Sequence, residues 1–187
     1  MPAARGPRQR PRHRRPAGGA GARWSIRGFV RVADYWNRLD RVLFVGHVFE
    51  YNSTIVAVKE LLRSGSLGDL RYIRCERTNF GPIRDDVNAL WDLGAHDISI
   101  LCLLMGSPPL SVTAVGWSYL KPGVEDEVSA TFTFPGGIRG HVHANWLNPI
   151  KVRQMIVVGT AKMLLWDDLD MAVPIRVFDH RPHAAAV

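Results

Sequence analysis

Cysteine is scarce: Cys75 and Cys102 are the only two in 187 residues. Two thiols cannot staple a chain of this size, so a disulfide framework is excluded and the core must come from apolar burial. The apolar share of 47% suffices for that and excludes wholesale disorder. Both cysteines lie in apolar surroundings and read as reduced, buried thiols of a cytoplasmic protein. Acidic residues are missing from Met1–Ala33, which carries nine Arg and no Lys. That stretch alone is +9, whereas the whole chain is +7, so the remainder is −2. A near-neutral body excludes a basic nucleic-acid groove, and no specific nucleic-acid partner is expected. Unbroken apolar runs are also lacking. Ile98–Leu120 is uncharged and long enough to span a bilayer, but Pro108-Pro109 cannot continue a helix. It reads as a helix ending and a strand beginning, with no membrane partner. G-x-G-x-x-G, G-x-S-x-G and C-x-x-C are all absent.

Residues 1–40 form an Arg/Pro-rich leader. Its first part holds almost no bulky apolar residue, and the leader is expected to be disordered up to residue 40. Arg14-Arg15 is followed by no apolar region, so it is not a secretory signal. Pro at positions 2, 7, 11 and 16 prevents the amphipathic helix of a transit peptide.

The body begins with Arg41–His47, a short apolar run that predicts a buried strand, parallel to its neighbours. Asn52 or Ser53 then caps a helix to about Ser64, with Ile55, Val58, Leu61 and Leu62 at helical spacing. Asp69–Thr78 reads as a strand. A second helix is predicted over about Asp86–Met105, stopped by Gly106. From Ser111 the period changes from 3.6 to 2. Strands are expected at Ser111–Tyr119, Glu127–Phe134, Ile138–Trp146, Val152–Val158 and Lys162–Trp166, with tight turns at Pro135-Gly136-Gly137 and Gly159-Thr160. Short turns imply antiparallel pairing. The fold class is therefore α+β: an antiparallel open sheet of five or six strands with helices on one face.

The second helix carries the chemistry. At 100° per residue, Val87, Leu90, Trp91, Gly94, Ile98, Leu101, Cys102 and Met105 share its apolar side. Asn88, Asp92 and His96 recur at i, i+4 and i+8 on the other. Asp92 is then placed to accept a hydrogen bond from the His96 ring and raise its basicity, as a general base requires. A solvated helix face fits the same spacing. His141 and His143 share one face of a strand with Arg139 and Asn145. Two His on one face can bind zinc, but the sequence places no third ligand, and the polar face of a sheet explains them as well. Glu125-Asp126-Glu127 and Asp167-Asp168 read as loop charges.

With these residues in view, the chain resembles the Gfo/Idh/MocA family of NAD(P)-dependent sugar and polyol oxidoreductases. The resemblance runs from about Val42 to Asp179. It begins at VGHVFEYN (Val45–Asn52) and continues through LGDLRYIRCERTN (Leu67–Asn79). It is sharpest at GPIRDDVNALWDLGAHDISIL (Gly81–Leu101), followed by HVHANWLNPIKVRQMIVVGTAKML (His141–Leu164). The R-x-D-x-N-x-x-W-D-L form, Arg84 to Leu93, is similar to members acting on UDP-sugar acids, which oxidise the 3-hydroxyl of UDP-N-acetylglucosaminuronate.

The resemblance implies roles residue by residue. His96 matches the catalytic histidine and Asp92 its partner. Asn88 and Arg84 match substrate-facing positions, and Tyr51 and Asn52 the turn near the nicotinamide. It implies NAD or NADP as cofactor, a sugar or nucleotide-sugar substrate, and a homo-oligomer through the sheet face. Residues 41–52 then match the last Rossmann strand and its turn, and residues 53–187 the substrate and oligomerisation domain. The family's glycine-rich turn and its Glu-Lys-Pro segment have no match before Val42. The chain is therefore expected to lack most of the cofactor domain and to be inactive alone. A second reading, from another class, is a non-catalytic assembly or binding module that uses the open sheet face.

Overall fold

A computed structural model of the chain describes residue 31 and residues 34–179. The expectations for residues 1–30, 32–33 and the last residues lie outside this range, but the disorder expected up to residue 40 is corrected at its described end, where residues 34–38 are helical. Seven strands form one sheet: β1 (Leu70–Phe80), β2 (Ser111–Trp117), β3 (Glu127–Thr133), β4 (Arg139–Asn145), β5 (Leu147–Gly159), β6 (Lys162–Asp167) and β7 (Ile175–Asp179). Their order is β2-β3-β4-β1-β5-β6-β7. Two α-helices, α1 (Ser53–Arg63) and α2 (Ala95–Met105), belong to the same core. This is the α+β class with an open sheet.

Period-2 alternation built the sheet. Along β3, Val128, Ala130 and Phe132 are buried, and along β4 Gly140, Val142 and Ala144 are buried, with polar residues between. These inward residues pack with Ile73, Cys75, Met155, Val157, Leu164 and Trp166 against Ile55, Val58, Ile100 and Leu101 of the helices. The Asn52 carboxamide caps α1, accepting from the amides of Thr54 at 2.9 Å and Ile55 at 3.3 Å. Such a cap is worth about 1 kcal/mol. Gly106 ends α2 in the left-handed conformation, at φ 65°. Strand β2 then starts at Ser111, so Pro108-Pro109 do separate a helix from a strand.

Two local expectations need correction. First, β1 and β4 pair in parallel, with Cys75 opposite Val142. The other strand pairs are antiparallel. The short-turn rule governs strands that follow one another, whereas β1 is inserted between β4 and β5. The chain passes from β4 to β5 over the end of β1. There Asn148 donates to the Thr78 hydroxyl at 2.7 Å, and the register shifts between Thr78 and Phe80. Second, Arg41–His47 is not a strand. Val42, Phe44 and Val45 are 92%, 68% and 61% exposed. An apolar run becomes a strand only where a ladder receives it, and the described sheet does not.

The second helix also starts later than expected. Residues 81–88 are irregular, Leu90–Gly94 forms a π-helical turn, and regular α-helix follows from Ala95. Gly94 sits where a Cβ would lie 2.7 Å from Leu90 Cδ1 and 3.4 Å from Val142 Cγ1. Its missing side chain lets this turn settle on β4.

Candidate active site

The segment 84–96 gathers most of the predicted site residues, and the π-turn decides how they are arranged. Hydrogen bonds running i→i+5 add a residue to the turn and rotate the faces away from a 100° count. Trp91, expected on the apolar side, is 47% exposed, and Asp97 is 2% exposed. Asp92 and His96 accordingly do not meet, which corrects the expected Asp–His hydrogen bond. Asp92 instead accepts from the buried Trp146 indole at 3.0 Å and from Arg84 at 3.4 Å.

Arg84 itself grips Asp86 with two hydrogen bonds of 2.9 and 2.8 Å. The pairing lowers the Asp86 carboxyl below its ordinary range and raises the guanidinium further, each mainly through this hydrogen bond. Asn88 starts the helical stretch: its side-chain oxygen accepts from the Trp91 amide at 3.0 Å, while its NH2 donates to Glu125 at 2.8 Å. The Ala89 amide donates to the Glu125 carbonyl, and Lys121 pairs with Asp85. The β2–β3 loop thus clasps the segment that carries Arg84, Asn88 and Asp92.

His96 is half-buried, and its ring makes no hydrogen bond among the described residues. It meets the Phe49 ring edge to face, with centroids 5.3 Å apart. Burial pushes its pKa down, and the Arg77 charge adds to that. The imidazole is therefore neutral at pH 7, with a free nitrogen lone pair, although its basicity is lowered by its surroundings and not raised by Asp92. Behind it lies a feature that the helical count missed. Arg77 donates twice to Asp97, at 2.9 and 2.8 Å, with both residues buried. The signal was present in β1, where Ile73, Cys75 and Arg77 share the inward parity.

The other expected residues are placed as follows. Tyr51 is 72% exposed, and Asn52 uses its side-chain oxygen on the α1 cap. The three successive acids of the β2–β3 loop face different partners. Glu125 accepts from Asn88, and buried Asp126 accepts from the Tyr119 and Leu120 amides. Glu127 reaches His143 at 3.2 Å. His141 pairs with the Thr131 hydroxyl at 3.1 Å. Among the described residues, no group of three or more His, Cys, Asp or Glu is placed to hold a metal ion. Cys75 is buried and Cys102 half-buried, and both thiols are free. No described helix is long and apolar enough to cross a membrane.

The seven-stranded open sheet with helices on its core face is the fold of a C-terminal domain found in oxidoreductases. The family model of the Gfo/Idh/MocA C-terminal domain matches residues 55–165, more than half of the chain, and the chain belongs to that family. Trans-1,2-dihydrobenzene-1,2-diol dehydrogenase of Oryctolagus cuniculus is 35% identical over 92 residues, covering 45% of this chain and 28% of that protein. Among solved structures, a putative oxidoreductase from Magnetospirillum magnetotacticum is 28% identical, with a TM-score of 0.72, over 87% of this chain and 52% of that one. The WlbA dehydrogenase from Bordetella pertussis, in complex with NADH and UDP-GlcNAcA, shares the fold at 17% identity and a TM-score of 0.70, over 83% and 53% of the two chains. The chain thus spans little more than a quarter of its curated relative and about half of these structures.

Proposed function

We propose that this chain is the substrate-side part of a cytoplasmic sugar or nucleotide-sugar dehydrogenase, with His96 as the general base. The observation that carries the reading is the half-buried His96 imidazole, free of hydrogen bonds among the described residues, on the helix that continues the Arg84–Asp92 segment. A base that takes a proton from an alcohol must be unprotonated near neutral pH and must keep one open side. His96 has both properties. Arg84 and Asn88 bind and orient the substrate, and the exposed guanidinium suits an acidic group such as a sugar carboxylate or a phosphate. Asp92 is a positioning residue, fixing Arg84 and the Trp146 indole. NAD or NADP would be the cofactor of the whole enzyme and would supply hydride acceptance, with Tyr51 and Asn52 the residues that would flank its nicotinamide end. The described residues fit only the margin of that cofactor. The first amides of α1 are taken by Asn52, and no glycine-rich turn precedes them among the described residues, so these residues offer a pyrophosphate no cradle.

The open sheet face, with Tyr72, Arg74, His141 and His143, is the surface for a second copy. A non-catalytic assembly module would use the same face. Isothermal titration separates the readings. UDP-N-acetylglucosaminuronate is expected to bind the purified chain at micromolar to millimolar concentration, and Arg84→Ala to weaken it at least about tenfold. Absence of binding by any sugar acid, nucleotide sugar or trans-dihydrobenzene diol, together with concentration-dependent dimers in light scattering, would favour the assembly module. Preference for the diol would redirect the substrate class toward that of the curated relatives.

A further inference from the structure

We infer that Phe49 is a positioning residue for His96, held in place by the buried Arg77–Asp97 pair. This rests on the reading of His96 as the base and deepens it. Phe49 lies in a short 3-10 turn, Val48–Tyr51, outside both helices and the sheet. Its ring is nevertheless fixed by three elements. The Arg77 guanidinium of β1 lies 4.7 Å from the ring centroid. Trp166 of β6 meets it edge to face at 6.0 Å and 78°. The His96 imidazole of α2 meets it at 5.3 Å and 67°. Arg77 cannot swing away, because its planar fork is closed on Asp97 and both residues are buried.

The charged groups facing His96 are Arg77 from β1, Arg153 from β5, His47 from the preceding segment and Asp97 on its own helix. Asp97, the one carboxylate among them, is taken by Arg77. Arg153 is engaged with Asp168 at 3.4 Å. No carboxylate among the described residues therefore orients the imidazole by a hydrogen bond, and a ring contact does that work instead. An aromatic edge fixes the imidazole plane without adding a proton acceptor. It also excludes water from one side of the ring, which keeps the base neutral.

The test is an NMR titration of the histidine-labelled full chain, with the His96 ring signals assigned by His96→Gln. In the unchanged protein, NOEs between the Phe49 and His96 ring protons are expected, and their absence overturns the proposal without any variant. Phe49→Leu is expected to abolish the ring-current displacement of His96 and to raise its titration midpoint by about half a pH unit. Phe49→Tyr, which keeps the ring, is expected to preserve both. Phe49→Leu leaving displacement and midpoint unchanged, with the other histidine signals unmoved, also overturns it. These readouts need no substrate. Failure to bind any substrate would therefore sink the dehydrogenase reading and leave this result standing, and the reverse outcome is equally distinguishable.

Discussion

The two faces of the sheet handle charge differently. On the helix-covered face, with Ile73, Cys75, Val142, Met155, Val157 and Trp166, one described ion pair is fully buried, the bidentate Arg77–Asp97, while Arg153, opposite Arg77, pairs with Asp168 at 3.4 Å and stays partly exposed. On the open face, charge is spread and shared. Glu76 pairs with Arg74 at 2.8 Å and lies 3.9 Å from His143, which also reaches Glu127 at 3.2 Å. Gln154 donates to Asp167 at 2.8 Å. A buried charge is tolerated only when its partner is fixed, because desolvation is costly. A half-exposed one keeps water as an alternative, so its pairs can be loose and numerous. The covered face therefore fully buries only a bidentate pair among the described residues and leaves the looser one at its margin, whereas the open face tolerates many partial contacts.

The contrast can be broken at its strongest point first. Asp97→Ala leaves Arg77 buried without a counter-charge and is expected to cost about 3–5 kcal/mol in urea unfolding. A loss under about 1 kcal/mol would mean that water reaches Arg77. A smaller effect belongs to pH. His96 has a folded pKa below its unfolded value of about 6.5, so the unfolded chain binds the proton more readily. Its contribution to stability is complete above that value and is lost as pH falls through it toward the folded pKa. His96→Gln should flatten that part of the profile relative to the unchanged protein, as measured by unfolding midpoints between pH 5 and 7. The smallest effect is expected on the open face, where Glu76→Gln should cost no more than about 1 kcal/mol at low protein concentration. A larger loss that grows with concentration would show that a second copy covers this face.

Much of this architecture was readable beforehand because alternation and turn residues are local signals. His141 and His143 fell on the polar face of β4 because residues two apart must share a face. What was not readable had non-local causes. The parallel partner of β1 comes from β4, far along the chain, and no local pattern near Cys75 announces it. The π-turn depends on how Leu90–Gly94 settles on Val142, so a 100° count placed Trp91 inward and missed Asp97. The same miscount joined Asp92 to His96, whereas the folded chain gives Asp92 to Trp146 and Arg84. Arg41–His47 has strand composition, but composition does not supply a neighbour to pair with.

The central position of β1 has a kinetic consequence. Strands β2–β4 and β5–β7 are two meanders that local collisions can assemble. Tyr72 must find both Arg139 on one side and Val158 on the other before the two halves become a single sheet. Closing such long loops dominates the barrier in folds of this connectivity. The first strand of this sheet to be synthesised is thus the last to be locked, and until then each meander presents a raw edge.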